Sequence, residues 1–421
     1  MYPTNDSPPG LSAYLRERSS RGGALYELLR DPDPERGLAH TPREIAQQPF
    51  LWRTTARMMR ELAPDLRGFL SDAGLFSGRC PSAVIFTGAG SSDYVGLSVV
   101  DLLRRQLRVP CGNWPSTRLL ADPDTFYLSG EQIVQFHVGR SGNSPESVTV
   151  LKRALRDYPD HVRHVVITCN REGALAECAR SDPERIFPII LDDACNDRGL
   201  AMTSSFSNML LASQAVAFLE DMDRVVDVVD RLAEAAEYLM HEYADRIREL
   251  ADPTLSRAFY LGNGDLFGAA IESALKVQEL TIGEMIGKGE DTLAFRHGPI
   301  SAVDAESMVA FYLSSNERAR RYELDVITQY QDAFEDMGVR TVVLSDHEPD
   351  VRLNDSIHQF TYDAGRIHRI PPLLQANLAV VFGQLFGLFA SQRRSLNVDD
   401  PSVDKALYSR TVEGVRIYES V

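Results

Sequence analysis

The 421-residue sequence has little of what usually betrays a function at once. Cysteine is scarce: Cys80, Cys111, Cys169, Cys178 and Cys195 are odd in number and form no Cys-x-x-Cys pair, which argues against a disulfide framework and against a zinc ribbon. Positive charge is in deficit, with 44 lysines and arginines against 60 aspartates and glutamates, a formal net charge of −16. Such a chain is not built to follow a nucleic-acid backbone, and any anion it holds has to be gripped locally. The stretch from Met1 to Gly10 is polar and proline-bearing, without the basic start and apolar run of a secretory signal, so a cytoplasmic location is expected. The most apolar stretch, residues 373–390, carries Gln375, Asn377 and Gln384 and runs into Gln392-Arg393-Arg394. It reads as a buried helix, and no membrane association is expected.

The length exceeds one core of ordinary size, so two domains plus extensions are expected. Residues 1–50 form an arm rich in Pro, Arg and Asp. From Pro81 the pattern becomes strand, glycine-rich loop, helix. Ala83-Val84-Ile85-Phe86 reads as a buried strand, Gly88-Ala89-Gly90-Ser91-Ser92 as a loop, and Val95, Val99, Leu102 and Leu103 recur at helical spacing. A second unit repeats the plan: strand Ile133 to Val138, loop Gly139 to Ser144, and a helix that Ser144 caps and Pro145 opens. Strands alternating with helices imply a parallel sheet covered on both faces.

The second half echoes the first. Gly88-Ala89-Gly90 has a counterpart in Gly262-Asn263-Gly264, an offset of 262 − 88 = 174, and Val162-Arg163-His164-Val165-Val166 one in Val339-Arg340-Thr341-Val342-Val343, an offset of 339 − 162 = 177. Similar offsets in the same order suggest a duplicated α/β domain. The expected division is an arm (1–50), a first domain (51–235), a second domain (236–395) and a C-terminal tail (396–421).

Two of the loops could hold a phosphate. A helix start offers unpaired N–H groups and the positive end of the helix dipole. Gly90 permits close backbone approach, Ser91, Ser92, Ser141 and Ser144 can donate hydroxyl bonds, and Arg140 can supply charge. Gly-Ala-Gly-Ser-Ser has neither the lysine of a P-loop nor the third glycine of a dinucleotide fingerprint, so ATP and NAD are not supported. The plainer alternative is that both loops are only turns and caps. In the second half, Glu272, Lys276 and Glu279 fall at i, i+4 and i+7 and share one helix face. By itself that is more often a solvated stripe with a salt bridge. The nearby Phe295-Arg296-His297-Gly298-Pro299 adds a histidine, and carboxylate, lysine and histidine together make a proton-transfer set.

Taken together, Phe86 to Ser92, Arg140 to Ser147, Ala201-Met202-Thr203-Ser204-Ser205-Phe206, Glu272 to Leu280 and Phe295 to Pro299 resemble the SIS-domain family of sugar-phosphate isomerases. Their spelling is similar to the AgaS-type galactosamine-6-phosphate deaminase/isomerases, also called tagatose-6-phosphate ketose/aldose isomerases. The arm segment His40-Thr41-Pro42-Arg43-Glu44-Ile45 fits that subgroup too, so the resemblance runs from about residue 40 to the C-terminus. It implies two tandem SIS-type doubly wound parallel-sheet domains. It further implies that Gly90, Ser91, Ser92, Arg140, Ser141, Asn143, Ser144 and Ser205 bind the sugar phosphate, that Glu279 moves the proton between the first two sugar carbons beside Lys276, and that His297, from a neighbouring subunit, assists ring opening. A homo-oligomer with a shared site is therefore expected, and neither a metal nor a redox cofactor is required. Where related glucosamine-6-phosphate synthase domains end in a tail lysine, this tail places Arg410; arginine is a poor proton shuttle but can bind an oxygen, the resemblance to the deaminase-type subgroup leads one to expect an arginine there, and Arg410 joins Glu279, Lys276 and His297 as a catalytic candidate. Ile300 stands where the subgroup more commonly has lysine. A plain aldose–ketose isomerase, a glucosamine-6-phosphate deaminase and a catalytically silent sugar-phosphate sensor are the alternatives. A sensor would have no need of Glu279 and His297, and no helix-turn-helix accompanies the loops.

Overall fold

The computed structural model describes residues 8–76, 81–127, 130–362, 374–404 and 416–418. The arm is helical: α1 (Leu11–Ser19), α2 (Ala24–Arg30) and α3 (Thr41–Ala46) lead into the long α4 (Gln48–Asp72). The first α/β unit follows as β1 (Ala83–Thr87), α5 (Ser91–Leu107), β2 (Cys111–Asn113), α6 (Ser116–Ala121), β3 (Ile133–Gly139), α7 (Pro145–Asp157), β4 (Val162–Thr168), α8 (Ala174–Ser181), β5 (Ile186–Ile190) and α9 (Ser204–Ala215). Helices α10 (Met222–Glu242) and α11 (Ala244–Leu250) connect to the second unit. That unit runs β6 (Arg257–Leu261), α12 (Asp265–Leu280), β7 (Ile286–Glu290), β8 (Ser307–Tyr312), α13 (Glu317–Met337), β9 (Arg340–Ser345), β10 (His358–Thr361) and α14 (Gln375–Arg393).

Both sheets are parallel throughout, and their orders match: β2-β1-β3-β4-β5 in the first and β7-β6-β8-β9-β10 in the second. The duplication inferred from two short echoes is thus complete in topology. Backbone detail repeats as well. Gly90 and Gly264, each just before its helix, have φ of 58° and 57° and ψ of −132° and −126°, a conformation that side chains disfavour. In sheets of this order ligands bind beyond the carboxyl ends of the strands where the order reverses, which here is between β1 and β3. The loops Gly88–Ser92 and Gly139–Ser144 leave those two strand ends.

Each half keeps buried clusters of its own on the outer face of its sheet, such as Ile85 with Ile133 and Val150 in the first and Phe259 with Phe311 and Phe334 in the second, but the largest interior is shared. One buried cluster runs from Phe86 and Phe136 of the first sheet through Phe206 and Leu232 to Tyr260, Tyr312 and Phe382 of the second unit. The boundary drawn at 235/236 lies inside α10, which continues unbroken from Met222 to Glu242 and packs along α4. The apolar stretch that could be mistaken for a membrane span is α14, buried from Gln375 to Ser391 within the second unit. No described helix is long and apolar enough to cross a membrane.

The central contact between the units is made by α5 and α12, which cross where Gly268 meets Ser98. A Cβ on Gly268 would lie 2.2 Å from Ser98 Oγ and 2.5 Å from Ser98 N, and the latter is backbone that cannot rotate away. Gly268→Ala therefore has to push the helices apart, at roughly 1–3 kcal/mol of stability. The expected result is a lowered urea midpoint with an unchanged slope; an unchanged midpoint would show that the crossing is looser than drawn.

Candidate active site

Helix α12 owes its position to neighbours on three sides: α5, α14 and β7. Its Glu272, Lys276 and Glu279 face is consequently not a solvated stripe. Lys276 and Glu272 are fully buried, and the Glu279 side chain retains 11 % exposure. Lys276 Nζ lies 3.2 Å from Glu272 Oε1 and donates to Glu279 Oε2 at 2.5 Å and, across the unit boundary, to Ser91 Oγ at 3.0 Å. Ser91 is the first residue of α5, so the ammonium is tied to the very helix start expected to hold a phosphate.

The electrostatics follow from burial. An ammonium removed from water loses hydration, which by itself lowers its pKa, but two carboxylates in contact outweigh that loss and the Lys276 pKa is raised, keeping the charge. Glu272 is pushed up to about 7 by burial, against the opposing pull of Lys276. The cluster is a cation shared by two acids, one sealed in and one reaching the crevice. Tyr94, one turn beyond Ser91 on α5, is half-buried; burial and the nearby Glu272 raise its phenol.

The loop after β1 is closed from below by hydrogen bonds: Ser116 N and Oγ both donate to Gly88 O, at 2.8 and 2.9 Å, and Ser147 Oγ of α7 reaches Ser116 Oγ at 3.3 Å. Ser91 and Ser92 are buried at its mouth. The loop after β3 is pinned at several points. Asn170 Nδ2 donates to Ser141 O at 2.8 Å, Leu175 N donates to Gly142 O at 2.9 Å, and Asn143 Oδ1 accepts from Ala174 N at 2.9 Å, capping α8. Arg140 donates Nη1 to the carbonyls of Gly199 and Leu200 at 3.2 and 3.1 Å. Ser144 precedes α7 and Pro145 opens it as expected, but the Ser144 side chain makes no cap bond.

Two expected members of the site are otherwise engaged. Ser205 is fully buried, its N–H and hydroxyl both donating to Asp197 Oδ2 at 2.8 and 2.5 Å. It therefore anchors the start of α9, with its hydroxyl hydrogen committed to Asp197 and not to a ligand. Asn143 is exposed and its carbonyl oxygen is spent on α8. His297 lies in a short turn, residues 294–297, on the exposed surface, outside the buried cluster. Arg410 lies outside the described residues. Sequence reasoning overlooked Asp197, which also accepts from Thr203 N at 2.7 Å and Ser204 Oγ at 2.5 Å and so holds the segment that grips Arg140. A lone aspartate six residues before a Thr-Ser-Ser run was the available signal.

The second half has the same loops with the opposite electrostatics. Asp265 stands where Ser91 stands, 265 − 174 = 91, and is paired with Arg105. Behind the next loop, the fully buried Glu323 accepts from Ser314 N at 2.8 Å and from Asn263 Nδ2 at 2.7 Å. Burial pushes Asp265 up to about 6 and Glu323 up to about 7. An acid already spoken for by Arg105 thus stands where the first unit offers the Ser91 hydroxyl, so of the two crevices the first is the one that suits a phosphate.

Two parallel sheets of identical order, with one serine-lined crevice over the switch point and a lysine–carboxylate cluster beneath it, define a double SIS-domain protein. No family model matches the chain. Among curated proteins, D-galactosamine-6-phosphate deaminase AgaS of Escherichia coli is 30 % identical over 386 residues, covering 90 % of this chain and 95 % of its own length. A relative from Streptomyces coelicolor reaches 36 % over 385 residues with the same coverage. The solved structure of tagatose-6-phosphate ketose/aldose isomerase from Escherichia coli aligns with a TM-score of 0.78 at 29 % identity, covering 90 % of this chain and 96 % of that one. The chain belongs to the AgaS galactosamine-6-phosphate deaminase family.

Two tests bear on this electrostatic layout. Lys276→Met leaves two carboxylates facing each other without a cation, and a loss of about 3–5 kcal/mol is expected, read as a fall in the denaturation midpoint that Glu272→Gln in the same chain partly restores. Glu323 holds its proton more tightly folded than unfolded, so the stability it contributes is complete below about 4.5 and is lost as pH rises through about 7. Glu323→Gln, with Asn263 free to turn its amide, should flatten the stability–pH curve across that window by on the order of 3 kcal/mol; an unchanged curve would show that this carboxyl does not titrate there.

Proposed function

We propose that this chain is an amino-sugar phosphate deaminase/isomerase that converts galactosamine 6-phosphate to tagatose 6-phosphate and ammonia. The observation that carries the reading is the contact of Lys276 with Ser91: the helix start suited to the phosphate and the acids suited to proton transfer share one ammonium. The names of the relatives support the substrate, and the exposure of His297 is consistent with its serving the site of another copy.

The chemistry follows from the arrangement. The phosphate is held by the N–H groups and hydroxyls of Ser91, Ser92, Ser141 and Ser144, with Arg140 supplying charge. His297 of an adjoining copy assists ring opening. In the open chain the carbon bearing the amine lies next to the aldehyde, and Glu279 removes its proton. Lys276 stabilises the negative charge that develops on the aldehyde oxygen, giving an enolamine. Glu279 returns the proton to the first carbon while the first oxygen takes up the proton the amine gives up, which leaves an alcohol at the first carbon and an imine at the second, and water hydrolyses that imine to the ketose and ammonia. A positioned carboxylate of this kind contributes roughly 10²–10⁴-fold. The route forms no bond to a metal or redox group. A neutral aldose phosphate would undergo the same proton transfer without loss of nitrogen, so an isomerase acting on neutral sugars is the second reading.

An ammonia-release assay across galactosamine, glucosamine and neutral hexose 6-phosphates separates these readings, with release expected from galactosamine 6-phosphate. Ammonia from no hexosamine 6-phosphate refutes the deaminase reading. Glu279→Gln should lower turnover by roughly 10²-fold or more while leaving substrate binding near that of the parent chain, and retained turnover would remove Glu279 from the proton path.

A further inference from the structure

Behind the segment that grips Arg140 lies a separate cavity of about 530 Å³, between the arm helix α3 and the turn after β5. His40, Arg43, Glu44, Gln47, Asn196 and Arg198 line it, with the exposed Asp193 at its rim. Three features mark it as a place for a ligand. First, in a chain of net charge −16, Arg43 and Arg198, both exposed, enter no ion pair among the described residues and border the same space. Arginine forks match the oxygens of phosphate, and a volume of this size admits a small metabolite.

Second, the walls are rigid. Asp399 accepts from Ala39 N, His40 N and Thr41 N at 2.9, 2.9 and 2.7 Å, fixing the start of α3. The buried Glu44 accepts from Arg198 N at 2.6 Å and from Gly199 N at 3.3 Å, fixing the opposite wall to the same helix. Third, the cavity shares a wall with the crevice. Arg198 faces the cavity, while the carbonyls of the next two residues, Gly199 and Leu200, hold Arg140. Anything that pulls on Arg198 acts one residue away from the grip on the loop after β3.

We propose that this cavity is a second phosphate site that takes a phosphorylated small metabolite and is coupled through residues 198–200 to the loop carrying Arg140. The coupling rests on the reading of that loop as the substrate's phosphate site; the cavity's own binding does not.

Equilibrium dialysis of the full chain against radiolabelled inorganic phosphate tests it. Two bound equivalents per chain are expected. Arg43→Ala with Arg198→Ala should lose one of them while keeping the turnover number at saturating substrate, and Arg140→Ala should lose the other and keep the cavity's. A wild-type chain that binds one equivalent, lost with Arg140→Ala, overturns the cavity site and leaves the proposed function standing. A double variant that retains both equivalents overturns it as well. If light scattering shows that the double variant loses subunits and dialysis shows no loss of phosphate, the arginines are interface residues and the proposal falls.

Discussion

The site depends on one buried ammonium. Lys276 sits at no measurable exposure on a helix seam between the two halves, and it stays charged because Glu272 and Glu279 are both within contact distance. Such a triad is poor evidence of stability, since apolar side chains of the same size often serve as well. Its use is positional. The cation fixes Glu279 in one place and ties it through Ser91 to the helix start that faces the crevice. The proposed binding and chemical parts of the site are thereby held in register by a single side chain.

Duplication supplied two sheets of the same order, and around the paired loops polar residues distinguish them. The two sheets have the same order, and the two loop glycines nearly the same φ and ψ. Yet a serine in one is an aspartate in the other, and the second unit buries Glu323 against its own loops. The second crevice has turned inward, and its helix α12 has become the wall of the first. In the proposed reaction one half of the repeat binds and the other supplies the acid and the base.

Much of this was legible beforehand, for identifiable reasons. The strands β1 and β3 and their loops stand out because continuous apolar runs, glycines and an N-capping Ser-Pro all point the same way. The repeat was visible because Gly88 and Gly262 both mark the same tight turn. The burial of Glu272 and Lys276 was not legible. Helical spacing places three residues on a face without saying which way the face looks, and on an isolated helix water is the better neighbour for charge. What decides it is the crossing of α5 and α12, a contact between residues about 170 apart. Ser205 misled for the converse reason: a serine in a Thr-Ser-Ser run looks available until Asp197, too distant in pattern to be suspected, is seen to consume it.

The common interior has a consequence for how the molecule comes apart. Because one apolar cluster spans Phe86 through Phe382, and the ammonium bridge spans the same seam, parting the two units uncovers apolar surface on both. Loss of order in either unit strips the other of part of its interior, so the stabilities of the two are coupled.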